Sequence, residues 1–276
     1  MSVKIVVDSS VDLTPEVKAQ VKTVALSVLF GEQEFKDGVT IDPVKFYEML
    51  TTSEMMPTTS QPTPMAFEDA YQELVEAGHE VVCITIASKL SGTYQSATIA
   101  AGEFEGKVFV VDSRSAAIGA GLLVEWALKL ADEGKNGQEI LEALMEKRKE
   151  VRVYAMVDTL EYLKKGGRLS ATVAFVGGVL NLKPIISVEG GEVKVIGKAR
   201  GQKAAFGTLT KACLEAGVKT EEPFMLGYTG ASDENLLKYM EENSELWPAG
   251  SKKTILGSAI GTHAGPGAVA MAFFAK

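Results

Sequence analysis

Four hydroxyl side chains and two prolines occupy residues 58–64, TTSQPTP, directly before a run with helical character. Thr63 suits the N-cap of that helix and Pro64 suits its first turn, so part of the pattern needs no ligand. The other hydroxyls and the unpaired amides at the start of a helix are hydrogen-bond donors that together suit an anion-binding site. The segment is therefore a candidate anion site, with helix capping as the alternative.

Three predicted strands end in polar residues of the same kinds. These ends are Asp8-Ser9-Ser10, residues 88–93 (SKLSGT) and Asp112-Ser113. In a parallel α/β sheet, ligands bind beyond the carboxyl ends of the strands, where loops lead into helices. Ser, Thr and Asp are also preferred helix caps, which explains any one of these ends without a ligand. The three together favour a site at this edge of the sheet.

The segment SKLSGTYQSA, residues 88–97, is the most informative of these ends. Gly92 lets the backbone approach a ligand, and Ser91 and Thr93 add hydroxyls beside a helix start, whose dipole favours negative charge. The chain has neither a G-x-S-x-G turn nor a G-x-x-x-x-G-K-[ST] loop, so the pattern predicts neither a serine nucleophile nor a phosphate loop. A small anion is the predicted ligand.

One of the two histidines, His263, stands among glycines in GTHAGPGA, residues 261–268. A histidine in such an irregular segment can donate a hydrogen bond to a carboxylate. The other, His79, closes a predicted helix, and the helix C-terminus is a sufficient reason for it. Two distant histidines and the distant Cys83 and Cys213 lack metal-ligand spacing, so the sequence predicts no metal site.

Basic residues form two further candidates. Arg168 follows a glycine pair that is typical of a helix C-terminus. Lys198, Arg200 and Lys203 lie close together in an otherwise acidic chain. A solvated surface explains both sets, and contact with an anion or an acidic partner is the alternative.

Composition narrows the class of protein. The 276 residues are 46% hydrophobic and 23% charged, which is ordinary for a globular chain long enough for two domains. A net charge of −8 does not suit binding to the phosphates of nucleic acid, so we expect no nucleic-acid ligand. A strand predicted at the N-terminus leaves no room for a signal peptide, and no apolar run reaches the roughly 20 residues of a membrane span. We expect a cytoplasmic protein with buried, reduced cysteines.

Strands and helices alternate in the first half of the sequence. Strands predicted at 3–10, 80–87 and 106–113 are each followed by a helical run, which indicates a mainly parallel sheet covered on both faces. Later strands are mixed with hairpins and helices, which indicates a second layer with a mixed sheet. These later strands are predicted at 154–159, 183–199, 222–230 and 253–260. We place the domain boundary near residue 152, giving domains of residues 1–152 and 153–276.

An apolar run covers residues 171–186, ATVAFVGGVLNLKPII, with no charge before Lys183. Such a run is typical of a core. Its small residues would alternatively line a narrow apolar channel, and the sequence does not distinguish the two.

Eight short motifs follow one another along nearly the whole chain: DSSVDLTPE, TTSQPT, SKLSGTYQSA, VVDSRS, DTLEYLKKGGRLS, LNLKPI, KARGQKAA and GTHAGPGA. In this order they resemble the DegV family of bacterial fatty-acid-binding proteins, which includes the acyl-carrying subunits of fatty acid kinase. The resemblance implies an N-terminal Rossmann-like α/β domain and a C-terminal α/β domain with a six-stranded mixed sheet. It also implies a fatty acid in a tunnel between the two.

The resemblance further implies roles for individual residues. Three residues match positions that hold the fatty acid carboxylate, and four more lie beside them or near the same end of the tunnel. The three are Thr59, Ser91 and His263, and the four are Ser60, Gly92, Thr93 and Arg168. Arg200, with Lys203 in the same KARGQK segment, matches a region that meets a kinase partner.

Two hypotheses about function follow. In the first, the chain is not an enzyme and needs no cofactor: it takes a long-chain fatty acid from a membrane surface and presents the carboxylate to a separate ATP-dependent fatty acid kinase, which forms acyl phosphate. Burial of the tail supplies the driving force, and hydrogen bonds orient the head. In the second, the chain is a phosphotransferase or hydrolase that acts on a small anion with Asp8, Asp112 and His263. A third interpretation, a regulatory interaction protein, has no motif in its favour.

Overall fold

The computed structural model describes residues 2–169, 181–248 and 250–275. Within them the strands are β1 (Val3–Asp8), β2 (Lys22–Val24), β3 (Ser27–Phe30), β4 (Gln33–Lys36), β5 (Thr58–Ser60), β6 (Glu80–Thr85), β7 (Val108–Asp112), β8 (Val151–Met156), β9 (Leu182–Glu189), β10 (Glu192–Arg200), β11 (Met225–Tyr228), β12 (Lys253–Ile255) and β13 (Val269–Phe274). The α-helices are α1 (Pro15–Lys18), α2 (Pro43–Thr52), α3 (Pro64–Glu76), α4 (Thr93–Ala101), α5 (Ala117–Asp132), α6 (Gly137–Lys147), α7 (Glu161–Lys165), α8 (Gln202–Glu215), α9 (Glu234–Glu242) and α10 (Ser258–Ala264).

The first part of the chain forms a four-stranded parallel sheet in the order β2-β1-β6-β7. Strands β1 and β6 are rich in Val and Ile and are buried along most of their length, as expected when both faces of a sheet are covered. Polar residues follow at the carboxyl ends, among them Asp8, Thr85 and Asp112. The predicted parallel sheet is confirmed.

The later part forms a six-stranded mixed sheet in the order β10-β9-β8-β13-β11-β12. The two sheets confirm the predicted α/β class with a parallel and a mixed sheet. Strand β8 begins at Val151, one residue before the proposed domain boundary. Residues 171–180 of the apolar run lie outside the described residues, and from Leu182 the run forms β9.

Strand β13, near the centre of the mixed sheet, is absent from the predicted strands. All six of its residues are buried, and they alternate between two cores. Val269, Met271 and Phe273 face one of these cores, whereas Ala270, Ala272 and Phe274 face the other. The sequence VAMAFF therefore lacks the polar alternation that marks a half-exposed strand.

Two other elements differ from the sequence prediction. Residues 58–60, described there only as the segment before a helix, form β5, which pairs with β3 in a small antiparallel sheet of order β4-β3-β5. The strand predicted at 253–260 ends at Ile255, and α10 begins at Ser258. His263 consequently lies in the last turn of a helix and not in irregular backbone. Helix capping by Thr63 is confirmed, since its hydroxyl accepts a hydrogen bond from the Ala66 amide.

Helix α5 joins the two large sheets. It packs on β1 and β6 of the parallel sheet and on β8, β11 and β13 of the mixed sheet, within one hydrophobic core. Gly119 lies where this helix meets β8, close to the side chains of Ser115 and Val153. Both cysteines are buried as free thiols, and no helix in the described ranges combines the length and apolarity needed to cross a membrane.

Gly119→Ala should destabilise the fold, because the added methyl group would overlap Ser115 Oγ and Val153 Cγ2. We expect the free energy of unfolding in urea to fall by about 1–3 kcal/mol. The matched control is Gly207→Ala in α8, where nothing lies within 4 Å of the added methyl group. This control should gain up to about 1 kcal/mol from better helix propensity. A Gly119→Ala protein as stable as the wild type would contradict the close packing of α5 on β8.

Candidate functional site

A cavity lies between the parallel and the mixed sheet, and 23 residues of the described part of the chain, from elements of both sheets, line it. Only five of them are polar, and the walls are mainly aliphatic. Typical wall residues are Ile86, Ala117, Val153, Ile186, Val188 and Ala270. About 110 Å³ is open to the centre of a water-sized sphere, which is room for several waters. A buried water needs two to four polar partners, so walls of this kind suit an apolar ligand better than water.

Four of the five polar residues form one connected group. Thr59 Oγ1 lies 2.9 Å from His263 Nε2. The His263 ring packs on Gly166, whose carbonyl oxygen accepts a hydrogen bond of 2.6 Å from Arg168 Nη1. Arg168 Nε donates to the Leu90 carbonyl oxygen at 3.0 Å, and Ser91 follows directly. The structure therefore brings Thr59, Ser91, Arg168 and His263 together at one part of the cavity.

Thr59 reaches the cavity because it lies in a strand. It is opposite Val28 in the β3–β5 pair, and successive side chains of a strand point to opposite faces of the sheet. Thr58 and Ser60 therefore face away from Thr59, and both are exposed. Ser60 is not among the lining residues, so the structure does not bring this predicted site residue into the cavity.

Ser91 is held by the start of α4. Its hydroxyl lies 2.8 Å from Thr93 Oγ1, and Thr93 is fully buried as the first residue of the helix. Gly92 packs so closely on the Gln61 amide that an added methyl group would overlap it. Gly92 and Thr93 thus lie behind Ser91 and orient it, and only Ser91 of the three lines the cavity.

His263 has an environment that disfavours its charged form. Burial lowers the pKa of the imidazole from 6.5 to about 4, and the nearby positive charge of Arg168 adds to this. Nδ1 is buried without a hydrogen-bond partner among the described residues, and it faces Gly166, where an added methyl group would overlap it. The ring is therefore neutral at physiological pH and interacts by hydrogen bonding rather than as a cation.

Asp8 and Asp112 do not join His263 in a catalytic group. Asp8 is fully buried and accepts hydrogen bonds from the amides of Ser10 and Ile86, and burial raises its pKa. Asp112 accepts from the amide and hydroxyl of Ser88. Their hydrogen bonds tie these carboxylates to strand ends, so neither serves as a base for His263.

Several features of the site were not predicted. Ser10 belongs to a polar strand end that the sequence singles out, but its place in the cavity wall depends on the sheet. Most of the aliphatic lining has no sequence signal that separates it from ordinary core.

Arg200 and Lys203 lie outside the cavity, exposed at the end of β10 and the start of α8. In the described ranges, no group of three or more His, Cys, Asp or Glu side chains is arranged to hold a metal ion.

Fold and cavity together define a two-sheet α/β protein with a mainly apolar cavity that carries a polar group of side chains. The family model described as "Uncharacterised protein, DegV family" matches residues 2–276. A DegV domain-containing protein of Caldanaerobacter subterraneus subsp. tengcongensis is 36% identical over 282 residues, 99% of each chain. Protein DegV of Bacillus subtilis is 31% identical over 285 residues, 100% of each chain. The chain belongs to the DegV family, which confirms the predicted resemblance.

Solved structures of similar fold include fatty-acid-binding proteins. A DegV family protein of Thermus thermophilus, described as binding fatty acid, has a TM-score of 0.88 and 32% identity, with 100% of both chains covered. A stearic acid-binding protein of Eubacterium ventriosum has a TM-score of 0.87 and 27% identity, with 99% of this chain and 98% of that chain covered. Proteins of similar structure are thus described as binding fatty acids.

The neutral state of His263 can be tested by following its imidazole signals by NMR as the pH is lowered. We expect a midpoint near pH 4, well below the 6.5 of an ordinary histidine. Because the unfolded chain then binds the proton more readily, this residue's contribution to stability is lost as the pH falls from 6.5 towards 4. Between about pH 7 and pH 5, the wild type should lose up to about 2 kcal/mol more than His263→Gln.

The same His263→Gln protein assigns the NMR signals, since only those of His263 disappear. A midpoint at or above 6.5 would show that the ring is charged in the folded protein at mildly acidic pH, and would contradict this environment.

Proposed function

We propose that the chain binds a long-chain fatty acid in the cavity between its two sheets, with the carboxylate beside Thr59, Ser91, Arg168 and His263. The observation that carries the proposal is the cavity itself, which combines aliphatic walls with one connected polar group. Two structures support the choice of ligand: one at 32% identity is described as binding fatty acid, and one at 27% identity is described as binding stearic acid.

The tail supplies most of the binding free energy. Each methylene buried in the aliphatic cavity contributes about 0.8 kcal/mol, so a long acyl chain gains far more than its headgroup. The walls offer few polar groups that would have to be desolvated without a partner. Affinity should therefore rise with chain length until the cavity is filled.

Hydrogen bonds orient the head. The Nδ1 of His263 faces Gly166 and has no hydrogen-bond partner among the described residues, whereas Nε2 lies beside Thr59 Oγ1, which favours the proton on Nε2. Nε2–H then donates to Thr59 Oγ1, and the Thr59 hydroxyl is free to donate to the carboxylate. Thr93 can donate to Ser91 Oγ in the same way, which leaves the Ser91 hydroxyl available as a second donor.

In the proposed complex, Arg168 contributes a positive electrostatic potential near the carboxylate and forms no direct ion pair with it. Two of its donors are committed to the carbonyl oxygens of Leu90 and Gly166. A carboxylate withdrawn from water requires hydrogen bonds or a nearby charge to stay ionised, and this group offers both. A carboxylate held by hydroxyls keeps its oxygens accessible to a second reactant.

The proposal extends to a reaction by a partner. The chain presents the carboxylate to a separate ATP-dependent fatty acid kinase, which forms acyl phosphate, and contacts a membrane surface transiently when it exchanges its ligand. In this role it works in the cytoplasm, needs no cofactor and does not catalyse the phosphorylation itself. The absence of a phosphate loop from the sequence supports this division of labour. The alternative, a phosphotransferase or hydrolase, is disfavoured by the separate bonding of Asp8 and Asp112.

Fatty acid binding is tested by denaturing the purified protein, extracting it with organic solvent and quantifying fatty acids by mass spectrometry. Close to one fatty acid per chain is expected after incubation with a mixed fatty acid pool. Thr59→Val should weaken binding about tenfold, since one hydrogen bond to a charged group is lost. Thr58→Val is the matched control, because it changes a neighbouring exposed threonine on the other face of β5.

Absence of fatty acid from the wild type would refute the proposal, and equal affinities of the two threonine variants would refute the position of the head. Turnover of a small anionic substrate by the chain alone, abolished in His263→Ala, would favour the enzyme hypothesis instead.

Arg200→Glu tests the partner surface. The side chain is exposed and lies outside the cavity, so charge reversal should lower acyl phosphate formation with the kinase about tenfold while fatty acid affinity stays unchanged. Acyl phosphate yield and exchange of a fluorescent fatty acid are the two measurements. Lys45→Glu, an exposed charge reversal on α2, is the control and should alter neither. Equal losses in both assays for Arg200→Glu would refute a separate partner surface.

A further inference from the structure

The segment that leads into α10 is tied to the N-terminal part of the chain by four hydrogen bonds. Thr254 Oγ1 donates to the Leu13 carbonyl oxygen at 3.1 Å, and the Tyr47 hydroxyl donates to the Leu256 carbonyl oxygen at 2.8 Å. The next two amides are also engaged by distant side chains. Gly257 N donates to Asp12 Oδ1 at 2.7 Å, and Ser258 N donates to Asp37 Oδ1 at 3.0 Å. Three separate N-terminal segments therefore converge on five consecutive residues.

The two carboxylates in this group are buried and close to each other. Asp12 and Asp37 are 7% and 3% exposed, and Oδ2 of each has no hydrogen-bond partner among the described residues. A methyl group added at Gly257 would lie 3.2 Å from Asp12 Oδ1 and 3.5 Å from both oxygens of Asp37, so both side chains pack against the same glycine. Burying a carboxyl group without full hydrogen bonding costs free energy. Two such groups beside one turn are therefore less favourable for the stability of the fold than a neutral helix cap would be.

The helix that begins there carries much of the site. Ala259, Ile260, His263 and Ala264 all line the cavity, and α10 is only two turns long. His263 follows Ser258 by five residues, a rise of roughly 7.5 Å along the axis. On its other side the helix packs so closely on α2 that a methyl group added at Gly261 would lie 2.6 Å from the Phe46 ring and the Tyr47 hydroxyl. A shift at the start of this short, rigid element would move the imidazole by a similar amount.

We propose that Asp12 and Asp37 are positioning residues for His263. They hold the first turn of α10 in place from the N-terminal part of the chain, and thereby keep the imidazole within hydrogen-bond distance of Thr59. The consequence for fatty acid binding rests on the proposed function, whereas the effect on the position of His263 does not.

The test compares removal of each acceptor with its conservative replacement. Asp12→Ala and Asp37→Ala lose the oxygen that binds the amide, so the NMR signals of His263 in the ligand-free protein should shift and fatty acid affinity should fall about tenfold. Asp12→Asn and Asp37→Asn keep an oxygen acceptor and should retain the wild-type signals and affinity. The Asn variants should also melt at a higher temperature at neutral pH, because burial raises the pKa of both carboxyls and disfavours their charged forms.

Asn136→Ala is the matched control, since Asn136 caps α6 by the same kind of hydrogen bond to a helix amide, and α6 packs mainly on α5, β6 and β7. It should lower the melting temperature without moving the His263 signals. Tyr47→Phe covers the case in which an Ala variant fails to fold. It removes one hydroxyl and keeps the buried ring, and it should shift the His263 signals in the same direction by a smaller amount.

Folded Ala variants and a Tyr47→Phe variant with wild-type His263 signals would overturn the proposal, as would Asn variants that behave like the Ala variants. Shifted signals in a protein that binds no fatty acid would support the positioning role and refute the proposed function. The two failures are thus distinguishable.

Discussion

The hydrogen bond between Thr59 Oγ1 and His263 Nε2 joins two residues that are 204 positions apart in the chain. One is carried by a three-residue strand of the small sheet, and the other by the last turn of α10, which lies between two strands of the mixed sheet along the chain, so the bond joins the small sheet to the mixed-sheet part of the chain. Around it the backbone of Gly166, the guanidinium of Arg168 and the hydroxyl of Ser91 complete a polar group in a mainly aliphatic cavity. Any ligand with one anionic end and a long apolar remainder meets both requirements of this arrangement.

Burial away from water determines the charge states of His263 in the polar group and of three buried aspartates elsewhere in the fold. It lowers the pKa of His263 and raises the pKa values of Asp8, Asp12 and Asp37, so burial favours the neutral form of each. The two kinds of residue oppose each other in the acidic range. As the pH falls from 6.5, the contribution of His263 to stability is lost, whereas the raised acids destabilise the fold progressively as the pH rises from their ordinary values. In the folded protein the imidazole of His263 is therefore a neutral hydrogen-bonding group, and Arg168 is the charged member of the polar group.

The sequence predicted the parallel sheet well, because Val- and Ile-rich runs ending in Asp or Ser are typical of strands buried on both faces. It failed at β13 for a related reason: VAMAFF is apolar on both sides, since its two faces meet different cores, and no alternation remains to be recognised. It failed at β5 and α10 because these elements are three and seven residues long and are stabilised by tertiary hydrogen bonds and pairing rather than by local propensity. The boundary near residue 152 stays a prediction.

Residue types and their order along the chain were enough to indicate the α/β class, the family and most of the polar group, because hydroxyls, glycines and a histidine at strand and helix ends carry local chemical meaning. Tertiary structure alone decided which of these side chains share the cavity. It turned Ser60 away from Thr59 through the alternation of β5, placed Gly92 and Thr93 behind Ser91, and brought His263 to Thr59 through a helix held at its start by Asp12 and Asp37. Convergence of distant segments and the exclusion of water depend on packing in three dimensions, and no short stretch of sequence encodes them.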